Sequence, residues 1–180
     1  MLEYNDFILV ESFEKELDAL TLNEDLTVNE DLFHPMKTKR IKKALKDYQA
    51  AKVTVARAEA ETEKKMEKMT DQDAKDKLKK AMNRKKESAQ ELADRAEDAL
   101  SVNATTDSLK NLASYGKSEA DIAAAKIRMK AEDNDAKRAQ LEDFIKERQK
   151  KAQENKEKIE AAKKAEAEKQ NNGSGNGEGN

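Results

Sequence analysis

Few residues in this chain are suited to covalent chemistry. The single histidine, His34, sits directly before Pro35, where proline biases the preceding backbone away from the helical region. A base or a metal ligand at His34 would need other groups to converge on that one imidazole. The chain has no cysteine, which removes thiol nucleophiles, disulfides and cysteine-ligated zinc. Four of the five glycines lie in the last ten residues and the fifth is Gly116, so no phosphate-cradling glycine loop can be written. The expectation is a non-enzymatic protein with no cofactor and no metal.

The residue groups that remain are suited to association. Lys37, Lys39, Arg40, Lys42, Lys43 and Lys46 form a basic cluster that could contact phosphates without reading sequence. The same run could equally be a solvated face, or pair with acidic residues earlier in the chain. Those acids are close at hand. Residues 1–33 hold ten carboxylates and one lysine, Lys15, a net charge of −9 in a chain whose total is −2. Residues 2–33 also carry fourteen large apolar side chains, among them Tyr4, Phe7, Ile8, Phe13 and Leu17. An acidic, apolar leader therefore precedes a basic and leaner body, with His34-Pro35 at the joint.

The elements that must position these groups are helices. Ala, Glu, Lys, Arg and Leu make up 100 of the 180 residues, a bias belonging to long helices and coiled coils. Leu, Ile, Val and Phe together number only 29, too few for a thick core at this length. The 36 basic and 38 acidic residues nearly balance, which suits helices laced by opposite charges rather than a self-repelling disordered chain. The fold expected is all-α, of elongated helices forming a coiled coil or helical hairpin, with flexible termini and little compact core. The longest apolar run, Phe7-Ile8-Leu9-Val10, is too short to span a bilayer, and the acidic N-terminus is unlike a secretory signal.

Along the chain, Phe7, Val10, Phe13, Leu17 and Leu20 follow the three- and four-residue steps of one helix face. That face fits a helix folded back on the body and a docking peptide equally well. A tandem Leu22-Asn23-Glu24-Asp25-Leu26 and Val28-Asn29-Glu30-Asp31-Leu32 reads as turns. Residues 34–100 are expected to form a basic hairpin or coiled coil. Ile41, Tyr48, Val55, Thr62 and Met69 recur every seven residues with Ala44, Ala51 and Ala58 beside them, until Lys65 interrupts. Thr70-Asp71-Gln72-Asp73 reads as a new helix start, and Leu78, Met82, Ala89, Leu92, Ala96 and Leu100 as the next apolar stripe. Residues 101–118 are expected as a connector whose short helix, from Asp107, closes at Gly116. Ser118 with Asp121 would then cap a single charged helix over 119–170 that spans roughly 75 Å, followed by a Gly/Asn tail at 171–180.

The stretch Tyr4-Asn5-Asp6-Phe7-Ile8-Leu9-Val10-Glu11-Ser12 resembles the capsid-targeting leaders of internal head proteins of T-even-like tailed bacteriophages. Those leaders combine an aromatic residue, an acid, Phe and an aliphatic, and end in Glu before a small residue. In that family a prohead protease cleaves after Glu in a Leu/Ile-x-Glu context. Leu9-Val10-Glu11 before Ser12 and Leu22-Asn23-Glu24 before Asp25 match it in the leader, and Ile145-Lys146-Glu147 in the body, whereas Val28-Asn29-Glu30 departs at its first position. The Lys/Glu/Ala-rich body is similar to the prohead core proteins of the same phages. The resemblance implies a processed scaffolding protein in the host cytoplasm and then in the interior of the head. Its implied partners are further core subunits of its own kind, a capsid shell or portal protein, the prohead protease and, nonspecifically, packaged DNA. A nonspecific nucleic-acid-binding protein and a plain coiled-coil adaptor are the competing expectations.

Overall fold

The computed structural model describes residues 4–22, 30 and 32–173, with side chains from Ser12 to Lys169 within that range. The described chain is all-α. Its helices are α1 (Tyr4–Thr21), α2 (Pro35–Glu67), α3 (Gln72–Asn103), α4 (Asp107–Ala131) and α5 (Asp135–Gly173). No strand occurs among the described residues.

Local chemistry sets the helix ends. Pro35 opens α2, where its fixed φ and missing N–H cost nothing. The expected break near residue 70 is present: Asp71 caps α3, its carboxylate accepting the Asp73 N–H at 2.9 Å. Thr106 caps α4 by accepting the Leu109 N–H. Asn134 does the same for α5, its side-chain oxygen accepting the Lys137 N–H at 3.1 Å.

The packing is two hairpins joined side by side. α2 packs on α3, α4 packs on α5, and α2 and α4 form the central contact. α2 and α4 run parallel, because Lys37 meets Thr105 at one end and Glu59 meets Arg128 at the other. The seven-residue seam of α2 points inward as expected. Ile41, Tyr48 and Thr62 are buried, Val55 is half-buried, and Lys65 is exposed. Much of the core is alanine, with Ala44 and Ala51 on α2 and Ala89, Ala93 and Ala96 on α3. Small side chains bring helix axes close, so a chain poor in large aliphatics still excludes water.

Four expectations from sequence are corrected. Gly116 does not end a helix; it lies inside α4, where a Cβ would come within 2.5 Å of Leu45 Cδ1. The residue is small because α2 and α4 approach there. Ser118 caps nothing, its hydroxyl donating to the Ser114 carbonyl of its own helix at 2.9 Å. The stretch 101–118 is therefore the end of α3, a short link at 104–106 and the first half of α4, and the single helix expected over 119–170 is the second half of α4 and an antiparallel α5, broken at Glu132-Asp133-Asn134. Finally, Leu92 stays partly in solvent while Ala93 takes the buried position, because a 4-3-4 spacing through Ala89, Ala93, Ala96 and Leu100 tracks α2 better.

Candidate functional site: an acidic helix on the basic face of the body

α1 lies antiparallel along the start of α2 and also touches α4 and α5. Its apolar face is Phe13, Leu17 and Leu20, all buried in the main core cluster with Ile41, Leu45, Leu112 and Ile159. Thr21 closes the helix, its hydroxyl bonding back to the Leu17 carbonyl. The Lys163 ammonium of α5 donates to the Leu22 carbonyl at 2.6 Å, placing a cation where the helix dipole is negative.

Charge pairs flank that apolar strip. Lys42 Nζ stands 2.6 Å from Asp18 Oδ1, and Lys46 Nζ pairs with Glu14 Oε1. Lys42 and Asp18, like Lys46 and Glu14, sit one helical turn from the neighbouring pair, so the two bridges run down one edge of α1. On the other edge the Tyr115 hydroxyl donates to Glu16 Oε2 at 3.1 Å. Burial, then the charges of Glu16 and Glu119, push the Tyr115 phenol far above its ordinary value. The hydroxyl therefore remains a donor. Burial and the nearby Glu16 also raise the Glu119 carboxyl above the usual range, with Lys126 and Lys156 pulling against them.

The residues singled out in the sequence divide as follows. Phe13 and Leu17, expected to dock on another protein, are committed to the chain's own core, because their apolar surface is removed from water by α2, α4 and α5. Of the two readings left open for this helix, the fold-back onto the body is the one observed. Tyr4, Phe7, Ile8, Leu9 and Glu11 lie on the helical backbone of α1, and their side chains lie outside the described set. The Glu11–Ser12 bond is thus inside a helix, with Ser12 exposed. Leu22 is half-buried at the helix end, whereas Glu24, Asp25 and most of the tandem repeat lie outside the described residues. The basic cluster is split. Lys42 and Lys46 are held by α1 and Lys37 donates to Thr105 Oγ1. Lys39, Arg40 and Lys43 are exposed, with no ion pair among the described residues.

A cleft between the two hairpins corresponds to none of the sequence patterns. Tyr48 is two residues beyond Lys46, so it leaves α2 on the side away from α1. There Lys52 and Lys117 lie 5.0 and 5.3 Å from its ring centre, and its hydroxyl is 3.4 Å from Asp121. Further along, Glu59 accepts from both Lys86 of α3 and Arg128 of α4, at 2.5 and 2.8 Å, tying the hairpins together. Burial would raise the Glu59 carboxyl, but hydrogen bonds and charge from Lys86 and Arg128 outweigh it and hold it below the usual range. Beyond Glu59 the cleft widens to about 590 Å³ between Met66, Met82, Leu141 and Phe144. Sequence could not single out these pairs, because with 41% charged residues almost every position has a plausible partner.

Among the described residues no group of three His, Asp or Glu side chains is arranged to hold a metal ion. None of the described helices is long and apolar enough to cross a membrane. No protein-family profile, curated protein or solved structure matches this chain.

Proposed function

We propose that this chain is a prohead core protein, an internal scaffold that assists capsid assembly and head shape in a T-even-like tailed bacteriophage. In this reading it acts without catalysis, and its acidic N-terminal helix is a leader that the prohead protease removes. The observation that carries the proposal is the seating of α1. Phe13, Leu17 and Leu20 are buried against the body while Asp18 and Glu14 neutralise Lys42 and Lys46. Such a helix is held by one apolar strip flanked by partly exposed ion pairs, contacts that are all lost together when a cut after it removes the segment.

Removal of the leader would change the chain's charge in a definite direction. A cut after Glu11 takes away three acids and no base, leaving the remainder at +1. A cut after Glu24 takes away seven acids and Lys15, leaving +4 and freeing Lys42 and Lys46. Either product is less repelled by packaged DNA than the precursor. The body's thin helical seams suit reversible self-association with further copies and weak contact with a shell or portal protein.

Isolation of proheads before DNA packaging tests this function. The proposal requires this chain in multiple copies inside them. Proheads assembled normally without any copy of it would overturn the proposal.

A further inference from the structure

The middle of the cleft between the hairpins carries an excess of positive charge that the helical packing does not consume. A recess of about 570 Å³ is lined there by Lys52 of α2, Lys117 and Arg128 of α4, and Arg148 and Lys151 of α5. Among the described residues two acids line it, Asp121 and Glu97. Arg128 is engaged by Glu59 and Lys117 by Glu97. Of the remaining three cations, Lys52 and Arg148 share Asp121, each also lying 5.0 Å from an aromatic ring centre, that of Tyr48 and that of Phe144.

Their contacts to Asp121 are long. Arg148 Nε is 3.4 Å from Oδ2, Lys52 Nζ is 3.8 Å from Oδ1, and the Tyr48 hydroxyl is 3.4 Å from the same oxygen. Charge-assisted hydrogen bonds normally close to about 2.7–2.9 Å. Arg148 Nε is buried and makes no hydrogen bond among the described residues, a donor left unsatisfied at a cost that a ligand oxygen would remove. The Lys151 ammonium makes no ion pair among the described residues.

We propose that this recess binds a small, multiply charged phosphate such as a di- or triphosphate chain. Lys52, Arg148 and Lys151 supply the charge, the Tyr48 hydroxyl supplies a neutral donor, and Asp121 orients Arg148 between them. Multiple oxyanions are favoured over one carboxylate because three cations from two helices converge on a volume larger than a single anion needs. Arginine matches phosphate oxygens with its forked donors, and lysine adds point charge. A nucleic-acid duplex is too wide to enter between the helices. The site is independent of the scaffolding proposal and is on the face of α2 away from α1.

The test is calorimetric titration of the full chain with inorganic tripolyphosphate at matched ionic strength, beside a duplex DNA of equal phosphate concentration. Saturable one-site binding of tripolyphosphate is expected, weakened at least tenfold by Arg148→Gln and by Lys52→Gln. Lys151→Gln should weaken it about threefold, and Lys79→Gln, on exposed α3 surface, should leave it unchanged. Lys151 is exposed, so its variant reports on the site even where Arg148→Gln disturbs folding. Absence of saturable binding overturns the proposal, as does equal loss in Lys79→Gln and Lys151→Gln. Binding of the duplex but not of tripolyphosphate overturns it too.

Discussion

Lys42 Nζ and Asp18 Oδ1 meet at 2.6 Å across 24 residues of sequence, joining the most acidic part of the chain to the start of its basic body. Asp18 is about half exposed and Lys42 about one-fifth. Each such partly exposed pair contributes only about 0.2–1 kcal/mol. Lys42→Glu with Lys46→Glu should therefore loosen α1 without unfolding the body. Hydrogen exchange should show faster exchange at residues 13–21, with α3 unchanged. Adding Asp18→Lys and Glu14→Lys should restore the protection.

Apolar burial contributes the larger share of the grip. Leu17 is 1% exposed, inside the core cluster, and its truncation leaves a cavity that the rigid α2–α4 pair cannot close. Leu17→Ala should cost about 2–5 kcal/mol, read as a fall in the urea midpoint with an unchanged slope. Phe13→Ala should fall in a similar range, about 3–5 kcal/mol.

Gly116 is a packing position rather than a turn. Adding a Cβ at 2.5 Å from Leu45 Cδ1 forces a fully buried side chain out of its place. Alanine would gain about 1 kcal/mol of helix propensity, while overpacking costs about 1–3 kcal/mol. Gly116→Ala should be slightly destabilising, and Gly116→Val should lower the thermal midpoint more strongly.

Two carboxylates give opposite pH dependence. Glu59 has a lowered folded-state value, so its contribution is present above the ordinary glutamate range and is lost as pH falls through the folded value. Glu59→Gln should be destabilising at neutral pH, and the difference should vanish in strong acid. Glu119 has a raised folded-state value, so its ionised form opposes folding and stability rises as pH falls through that raised value. Glu119→Gln should be stabilising at neutral pH, with the gain disappearing as pH falls toward the ordinary glutamate range. Thermal melts of both variants against pH would check the two signs.

The elements legible in sequence were those set by local chemistry. The seam through Ile41 and Tyr48 has a seven-residue period, and Asp71 with Asp73 writes a cap into four adjacent residues. The division of α4 from α5 was hidden because local signals pointed elsewhere. Gly116 and Ser118 imitate a helix end and a new cap, yet Gly116 is set by Leu45, 71 positions earlier in the chain. The actual break, Glu132-Asp133-Asn134, has neither glycine nor proline to mark it. For the candidate site, the acidic leader and the basic cluster were both visible as charge runs. The turn-forming repeat and His34-Pro35 between them allow α1 to fold back, but which acid meets which lysine depends on how the Phe13–Leu20 face seats against α2, and no residue pattern specifies that. The cleft around Asp121 combines four helices and has no signature in any one of them.

The central claim is that the acidic N-terminal segment, all of α1 or its part before Ser12, is cut from a persistent body. Intact-mass measurement of this chain from mature heads tests it most directly. The account predicts a product beginning at Ser12 or at Asp25, lighter than the precursor by the residues before it. A full-length chain beginning at Met1 in mature heads would contradict it.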